Sequence, residues 1–246
     1  MDSFYARFFP HEDSNAYASY HRELQALLVE PGRVLDLGCG KNTQLACYRT
    51  PRREAWGADF EPHPRLEHAE WFRPLGPGGQ IPFPAETFDV VASTWVLEHV
   101  ASPAQFLSEI VRVLRPGGCF VALTINGLHY VTWITRLLHL LPHRVTQQVV
   151  YRLYGRVPHD TFPTHYRLNT PGQLRRAARA AGLELASLTG IANPDYFSFW
   201  QPLRRAAIVT DWCLECVGRG LGRVYFVTVL RKPGAGELRT SLPLAA

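Results

Sequence analysis

The sequence contains very little lysine and no long apolar run. Lys41 and Lys232 are the only lysines among 26 basic residues, so the other cations are arginines. No stretch of about 18 uncharged apolar residues could span a bilayer. The chain also does not open with a charged and apolar leader that ends in a small-residue cleavage site. These absences disfavour a transmembrane or secreted protein and predict a cytoplasmic one.

Cysteine is scarce as well. The five cysteines are Cys39, Cys47, Cys119, Cys213 and Cys216. An odd and scattered set suits a reducing compartment better than a disulfide framework. The last two have the spacing of half a zinc site, but no second pair of cysteines stands at that spacing, and zinc normally takes four ligands. We therefore predict no metal site.

The balance of charge is basic, with a net charge of +5 and a pI near 9.1. Such a balance raises the question of a nucleic-acid partner. However, the arginine pairs at 52–53, 175–176 and 204–205 are isolated, and they lie among alanine and leucine at helical spacing. That arrangement is typical of solvated helix faces rather than of a basic stripe. The sequence therefore disfavours nucleic acid as a partner.

The most informative pattern is Val34-Leu35-Asp36-Leu37-Gly38-Cys39-Gly40, an apolar strand that runs into a glycine turn. Gly38 and Gly40 can adopt positive φ and approach a ligand without a Cβ, while Asp36 adds a carboxylate beside the turn. Nicotinamide-binding folds open in a similar way. Their fingerprint requires a third glycine three residues after the second, where this chain has Thr43. A nicotinamide site is therefore disfavoured.

This block resembles motif I of class I S-adenosylmethionine-dependent methyltransferases, in their type 11-like, small-molecule branch. Further blocks follow in the family's order: Ile81-Pro82-Phe83, Phe88–Ser93, Val96–Val100 and Val113–Gly118. The resemblance implies S-adenosyl-L-methionine as the cofactor. It also implies a doubly wound, Rossmann-like α/β fold, with a seven-stranded sheet, an antiparallel last strand and helical cap insertions.

Alternating patterns predict a single domain over residues 1–246, with its core at about 30–190 and 222–232 and a tail at 233–246. Helices are expected near 14–28 and from Thr170 to Gly182. Strands are expected near 33–37, 54–58, 70–73, 88–93, 118–124, 183–191 and 223–230, the last two forming an antiparallel edge. Segments 127–169 and 191–221 follow the carboxyl ends of strands, where ligands bind in open α/β sheets. We expect both to shape an acceptor pocket.

The resemblance also implies a set of cofactor-binding residues. They are Tyr20, Asp36, Gly38, Cys39, Gly40, Asp59, Phe60, Gln80, Ile81, Ser93, Thr94 and His99. Asp59, which closes the second strand, would hold the ribose hydroxyls. Relatives often carry an acid for the adenine amino group where this chain has Pro77. Adenine is therefore expected to meet backbone groups near Gln80 and Ile81.

Methyl transfer from a sulfonium depends mainly on closeness and alignment, and it needs a general base only when the nucleophile carries a proton of high pKa. The candidate bases are His129, His165 and Tyr166, which all follow the fifth strand. Methyltransferases of exocyclic amines carry Asn/Asp-Pro-Pro-Tyr/Phe where this chain has Ser93-Thr94-Trp95-Val96. We therefore predict a small, apolar or aromatic acceptor, methylated on oxygen rather than on carbon or nitrogen. A catalytically silent binding protein and an RNA methyltransferase are the alternatives.

One cap insertion contains an amphipathic pattern. Tyr130, Trp133, Ile134, Leu137, Leu138 and Leu141 recur at spacings of three and four residues. This pattern predicts a helix that acts as a lid. Packing on its own domain, contact with a membrane surface or a lipid-linked substrate, and contact with a second copy in a homodimer all remain open.

Overall fold

The computed structural model describes residues 3–10, 15–138, 163–218 and 220–234. The strands are β1 (Gly32–Leu37), β2 (Arg53–Asp59), β3 (Phe72–Pro74), β4 (Phe88–Thr94), β5 (Leu114–Ile125), β6 (Glu184–Ile191) and β7 (Tyr225–Arg231). The helices of the described ranges are α1 (Ala16–Leu27), α2 (Pro103–Val113), α3 (Tyr130–Leu138), α4 (Pro171–Ala180) and α5 (Gln201–Val217). Every helix in these ranges is too short or too polar to span a bilayer.

The seven strands form one sheet in the order β3-β2-β1-β4-β5-β7-β6. Strands β1 to β5 pair in parallel, whereas β7 runs antiparallel to both of its neighbours, β5 and β6. The predicted seven-stranded sheet with an antiparallel last strand is confirmed. β7 is inserted between β5 and β6, so the edge strand is β6. The strand order reverses between β1 and β4, and ligands of open α/β sheets bind at such a point.

Alternation along the strands places apolar side chains on both faces of the sheet. Val34, Val90 and Val121 share a buried cluster with Tyr20 and Leu24 of α1. Their sequence neighbours Leu35, Val91 and Phe120 lie in a second cluster, which includes Leu107 of α2 and Leu174 of α4. The domain is therefore doubly wound, with a helical layer on each face.

Capping side chains define where two of the predicted helices begin. Asn15 accepts the Ala18 backbone N–H at 3.0 Å and starts α1. Thr170 and Gln173 form a reciprocal capping box, each side chain accepting the other residue's N–H at 3.2 Å. Gly182, with φ of 76°, follows the end of α4. The sequence therefore predicted both helices to within a few residues.

Two strands begin at other residues than expected, and the Val96–Val100 block is short. That block forms a single 3-10 turn, Leu97–His99, because Pro103 begins α2 shortly afterwards. β5 begins at Leu114 and β3 at Phe72, which differs from the expected strand starts by a few residues. The expected lid helix is present as α3. The described residues do not include positions 139–162 of the first insertion, among them Leu141. They also do not include the tail from 235 onwards.

Candidate active site

The turn after β1 depends on two glycines with positive φ, 79° at Gly38 and 50° at Gly40. A Cβ on Gly38 would collide with Cγ2 of Val96, so packing as well as backbone conformation requires glycine there. A Cβ on Gly40 would meet no atom within 4 Å. The turn is therefore packed against the protein at Gly38 and leaves open space at Gly40.

Asp59 lies beside this turn, at the end of β2. Its Oδ2 accepts the Gly40 backbone N–H at 2.9 Å, and its Oδ1 accepts the Phe60 N–H at 2.8 Å. Two backbone donors thus fix the orientation of the carboxylate. Each carboxylate oxygen can accept more than one hydrogen bond, so Asp59 retains the capacity to accept two hydroxyl donors.

Three polar groups are buried near the carboxyl ends of β1 and β4 without a hydrogen-bond partner among the described residues. They are both carboxylate oxygens of Asp36, the hydroxyl of Tyr20 and the hydroxyl of Ser93. Asp36 is only 2% exposed. Burial, with a smaller contribution from the charge of Asp59, raises the pKa of Asp36 to about 7. Buried polar groups are normally hydrogen-bonded, so this cluster has the character of a site for a polar ligand.

Tyr20 belongs to the same cluster although it comes from α1. Burial is the main cause that raises the pKa of Tyr20, and the nearby charge of Asp36 is the second. Its ring is fully buried against the sheet. The structure therefore places Tyr20 beside Asp36 of the glycine-turn strand, while its role in cofactor binding stays a prediction.

The loop expected to meet adenine is largely engaged within the protein. The Ile81 N–H donates to the Glu109 carboxylate at 2.9 Å, and the Ile81 carbonyl accepts from Arg112 at 2.7 Å. The Gln80 carbonyl accepts the Gly76 N–H at 2.8 Å. Phe60 lies close to Gly79 of this loop. The backbone of Ile81 is therefore engaged within the protein, and the roles of Gln80, Ile81 and Phe60 in cofactor binding stay predictions.

His99 and Thr94 contact other parts of the protein. The His99 Nδ1 lies 2.8 Å from the Pro163 carbonyl, which can only accept, so this nitrogen carries the proton. The hydroxyl of Thr94 donates to Gln44 at 3.2 Å. Cys39 is buried within the glycine turn, where burial raises the pKa of its thiol. In the structure, His99 thus connects the turn after β4 to Pro163.

The three candidate bases occupy different environments. His129 is 1% exposed, its Nδ1 accepts the Val131 N–H at 3.3 Å, and its Nε2 lies 3.2 Å from Asp211 of α5. Because Nδ1 accepts, Nε2 carries the proton and donates to the carboxylate. Both nitrogens are thus engaged inside the protein. His165 is exposed to solvent.

Tyr166 is buried, and burial is the main cause that raises its pKa. Its ring lies 4.5 Å from the guanidinium of Arg136, which also stacks on Trp133 at 5.0 Å. The backbone N–H groups of His165 and Tyr166 both donate to the Glu98 carbonyl. The segment that carries these two candidates is therefore fixed to the turn after β4.

Four aromatic residues line up beside the buried polar cluster, and we call them the aromatic band: Tyr17, Trp95, Tyr196 and Tyr225. Trp95 follows β4, and its ring lies 6.0 Å from Tyr17 and 4.9 Å from Tyr225. Tyr196 lies 5.7 Å from Tyr225. Sequence reasoning did not single out Trp95 or Tyr225 as site residues. Only the position of Trp95, in place of an amine-binding motif, could have drawn attention to it.

Comparisons with known proteins agree with this architecture. The sequence model of the methyltransferase domain matches residues 9–188, which is more than half of the chain. The chain belongs to the methyltransferase family. The resemblance seen in the motifs is thereby confirmed, as is the Rossmann-like fold. A structure of an S-adenosylmethionine-dependent methyltransferase from Aquifex aeolicus superposes with a TM-score of 0.52 at 13% identity, covering 93% of this chain and 98% of that one.

Two curated relatives are similar over a part of their length. A demethylmenaquinone methyltransferase of Symbiobacterium thermophilum is 36% identical over 122 residues, which is 44% of this chain and 49% of that protein. A ubiquinone biosynthesis O-methyltransferase of Maricaulis maris is 35% identical over 114 residues, covering 45% and 40% of the two proteins. The chain thus matches less than half of either relative.

The residues of this methyltransferase-family site fit S-adenosylmethionine. That molecule carries an ammonium group and a ribose diol. The unpartnered carboxylate of Asp36 suits the ammonium group, and the spare acceptor capacity of Asp59 suits the diol. The open space at Gly40 leaves room for the ligand beside the turn.

Proposed function

We propose that this protein transfers the methyl group of S-adenosylmethionine to a hydroxyl oxygen of a small, flat, apolar metabolite. One observation carries the proposal: α1 contributes both to the cofactor side and to the aromatic band. Tyr20 lies at the buried polar cluster with Asp36, and Tyr17, one turn earlier on the helix, lies against Trp95. An aromatic surface thus adjoins the residues that fit the cofactor.

In the proposed reaction the carbon–sulfur bond of S-adenosylmethionine breaks as a carbon–oxygen bond forms, and the electron pair stays on sulfur in a neutral thioether. Asp59 would hold the ribose diol, and Asp36 would bind the ammonium group. The role of the protein is then to align the acceptor and exclude water, which together account for much of the acceleration in such transfers. The aromatic band would supply the apolar surface for that alignment.

His165 is the base that we favour for the hydroxyl proton. A phenol has a pKa near 10, so its transfer benefits from a general base. His129 is enclosed and donates to Asp211, and Tyr166 is buried with a raised pKa. His165 remains exposed, so it can pass a proton on to solvent.

Two further points support a quinol-like or phenolic acceptor and a pocket formed by the insertions. The relative from Maricaulis maris is named as a ubiquinone biosynthesis O-methyltransferase. In addition, Asp211 of the second insertion accepts a hydrogen bond from His129 of the first. We propose that residues 1–246 form one domain and that the insertions at 127–169 and 191–221 together shape the acceptor pocket.

The test is transfer of a radiolabelled methyl group from S-adenosylmethionine to a panel of phenols, quinols, saturated alcohols and RNA. We expect label in the phenols and quinols, and none with Asp59→Ala, which loses the diol acceptor. His165→Gln should lower kcat about 100-fold, the lower end of what a general base contributes. Label in RNA alone, or no transfer by folded protein that binds S-adenosylhomocysteine, would overturn the proposal.

A further inference from the structure

Trp95 is held in an unusual conformation at the end of β4. Its φ is 59°, in the left-handed region that residues with a side chain rarely adopt. The Trp95 backbone N–H donates to the Leu123 carbonyl at 2.9 Å, which fixes the residue to β5. Non-glycine residues in this region cluster at ligand sites, where the surrounding structure maintains them. Here the indole lies against Tyr17 and Tyr225 of the aromatic band.

A hydrogen bond defines the indole's orientation. The Trp95 Nε1–H donates to the Tyr17 hydroxyl oxygen at 2.7 Å. Because that oxygen is the acceptor, the hydroxyl proton of Tyr17 remains available as a donor. Tyr17 is 42% exposed, so a ligand can reach this proton. A donor that itself accepts a hydrogen bond is polarised and becomes a stronger donor.

The band lies where an acceptor for methyl transfer would have to be. Tyr225 pairs with Ile125, the last residue of β5, so the band is at the carboxyl edge of the parallel strands. Trp95 comes two residues after Ser93, whose buried hydroxyl has no partner in the described part of the chain. A ring packed on Trp95 would therefore be adjacent to the residues that fit the cofactor.

We propose that Trp95 and Tyr17 form a subsite for a planar ring that carries two neighbouring oxygens. The Trp95 and Tyr225 rings would pack against the ring of the ligand. The Tyr17 hydroxyl would donate to the oxygen that is not methylated and so select which of the two receives the methyl group. This inference rests on the proposed function, because it names the acceptor class of the same site.

The test is calorimetric titration of the protein loaded with S-adenosylhomocysteine. The probes are a dihydroxynaphthalene with adjacent hydroxyls and the naphthol that lacks the second one. We expect wild type to bind the diol about two- to tenfold more tightly, which is the effect of one net hydrogen bond. Tyr17→Phe should remove this preference, so that the diol and the naphthol bind with equal affinity. Trp95→Phe should weaken both ligands, whereas the exposed Trp200→Phe should weaken neither.

Several outcomes would overturn the subsite. If Tyr17→Phe lowers the affinity for both ligands equally, Tyr17 only supports Trp95 and does not hydrogen-bond to the second oxygen. If neither variant alters either affinity, the ring binds elsewhere. Failure of the proposed function alone would give a different result. Both naphthalene probes would then bind with the expected preference, yet no methyl label would be transferred to oxygen in the transfer assay.

Discussion

In the proposed cofactor half of the site, formed by Asp36, Gly38, Gly40 and Asp59, hydrogen-bond partners are close in sequence. The hydrogen bond from Gly40 to Asp59 spans 19 residues. In the proposed acceptor half, formed by the aromatic band and the two insertions, hydrogen-bond partners are distant in sequence. The bond from Trp95 to Tyr17 spans 78 residues, and that between His129 and Asp211 spans 82.

The two halves also differ in which groups make the contacts. The glycine turn is positioned by backbone hydrogen bonds, since the N–H groups of Gly38 and Cys39 both donate to the Ala58 carbonyl. The acceptor half depends on side chains that pack or hydrogen-bond to each other. A cofactor site set by the backbone tolerates changes elsewhere, whereas an acceptor site set by side chains can change its specificity through single substitutions. The predictions below test this separation.

The largest effect is expected from Gly38→Ala. A Cβ there collides with Val96, and alanine at φ of 79° is strained, so we expect a loss of about 2–5 kcal/mol in the free energy of unfolding. Gly40→Ala has the same backbone strain without the collision and should lose only about 1–2 kcal/mol. Chemical denaturation of both variants measures the difference.

The Gly38→Ala and Gly40→Ala variants should also differ in the cause of any loss of cofactor affinity. Gly40→Ala should still lower the affinity for S-adenosylhomocysteine, because its methyl group enters the open space that the ligand would use. Equal destabilisation by both substitutions, with cofactor affinity unaffected, would contradict the assignment of the turn to cofactor binding.

The same contrast explains what could be predicted from the sequence. The glycine turn, the strands and the capping box at Thr170 are local patterns, and the structure has them within a few residues of the predicted places. The sheet order follows from the family resemblance that those local patterns carry. None of these inferences required knowledge of which distant side chains meet.

The acceptor half could not be predicted in the same way. Nothing near Trp95 in the sequence indicates that its indole meets Tyr17 of the first helix, or that it lies 4.9 Å from the ring of Tyr225. The same holds for the N-terminal residues Tyr5 and Phe9, which are buried with Ile208 of α5. Such contacts depend on the packed fold, and a sequence pattern of apolar residues leaves many pairings open.

An intermediate effect is expected from pH on cofactor affinity. Burial holds the pKa of Asp36 near 7, so below that pH the free protein carries it protonated. An ammonium group pairs with the ionised form, and binding must then release a proton. We expect the affinity for S-adenosylhomocysteine to fall by up to about tenfold for each pH unit below 7 and to level off above it.

Calorimetry across this pH range provides the measurement. The ionisable groups that influence or surround Asp36 are Tyr20, Cys39 and Asp59. Methylthioadenosine lacks the ammonium group and should show no such dependence, and Asp36→Asn should abolish it for S-adenosylhomocysteine. A slope that persists in Asp36→Asn would assign the proton to another group.

The smallest effect is expected from Asp211→Asn, which alters only the acceptor half. Asp211 accepts a hydrogen bond from the buried His129. Burial raises the pKa of Tyr130, and the charge and hydrogen bond of Asp211 add to that shift. An amide keeps one acceptor oxygen but loses the charge-assisted bond, so we expect a loss of about 1–2 kcal/mol in unfolding free energy. Asp195→Asn, in the same insertion, removes the charge of the exposed partner in the ion pair with Arg204 and should cost about 1 kcal/mol or less. Affinity for S-adenosylhomocysteine should remain within about twofold of wild type in both, a change of less than about 0.5 kcal/mol. A larger loss of cofactor affinity in Asp211→Asn would mean that the two halves are coupled through the hydrogen bond between His129 and Asp211. The two halves of the site would then not be independent.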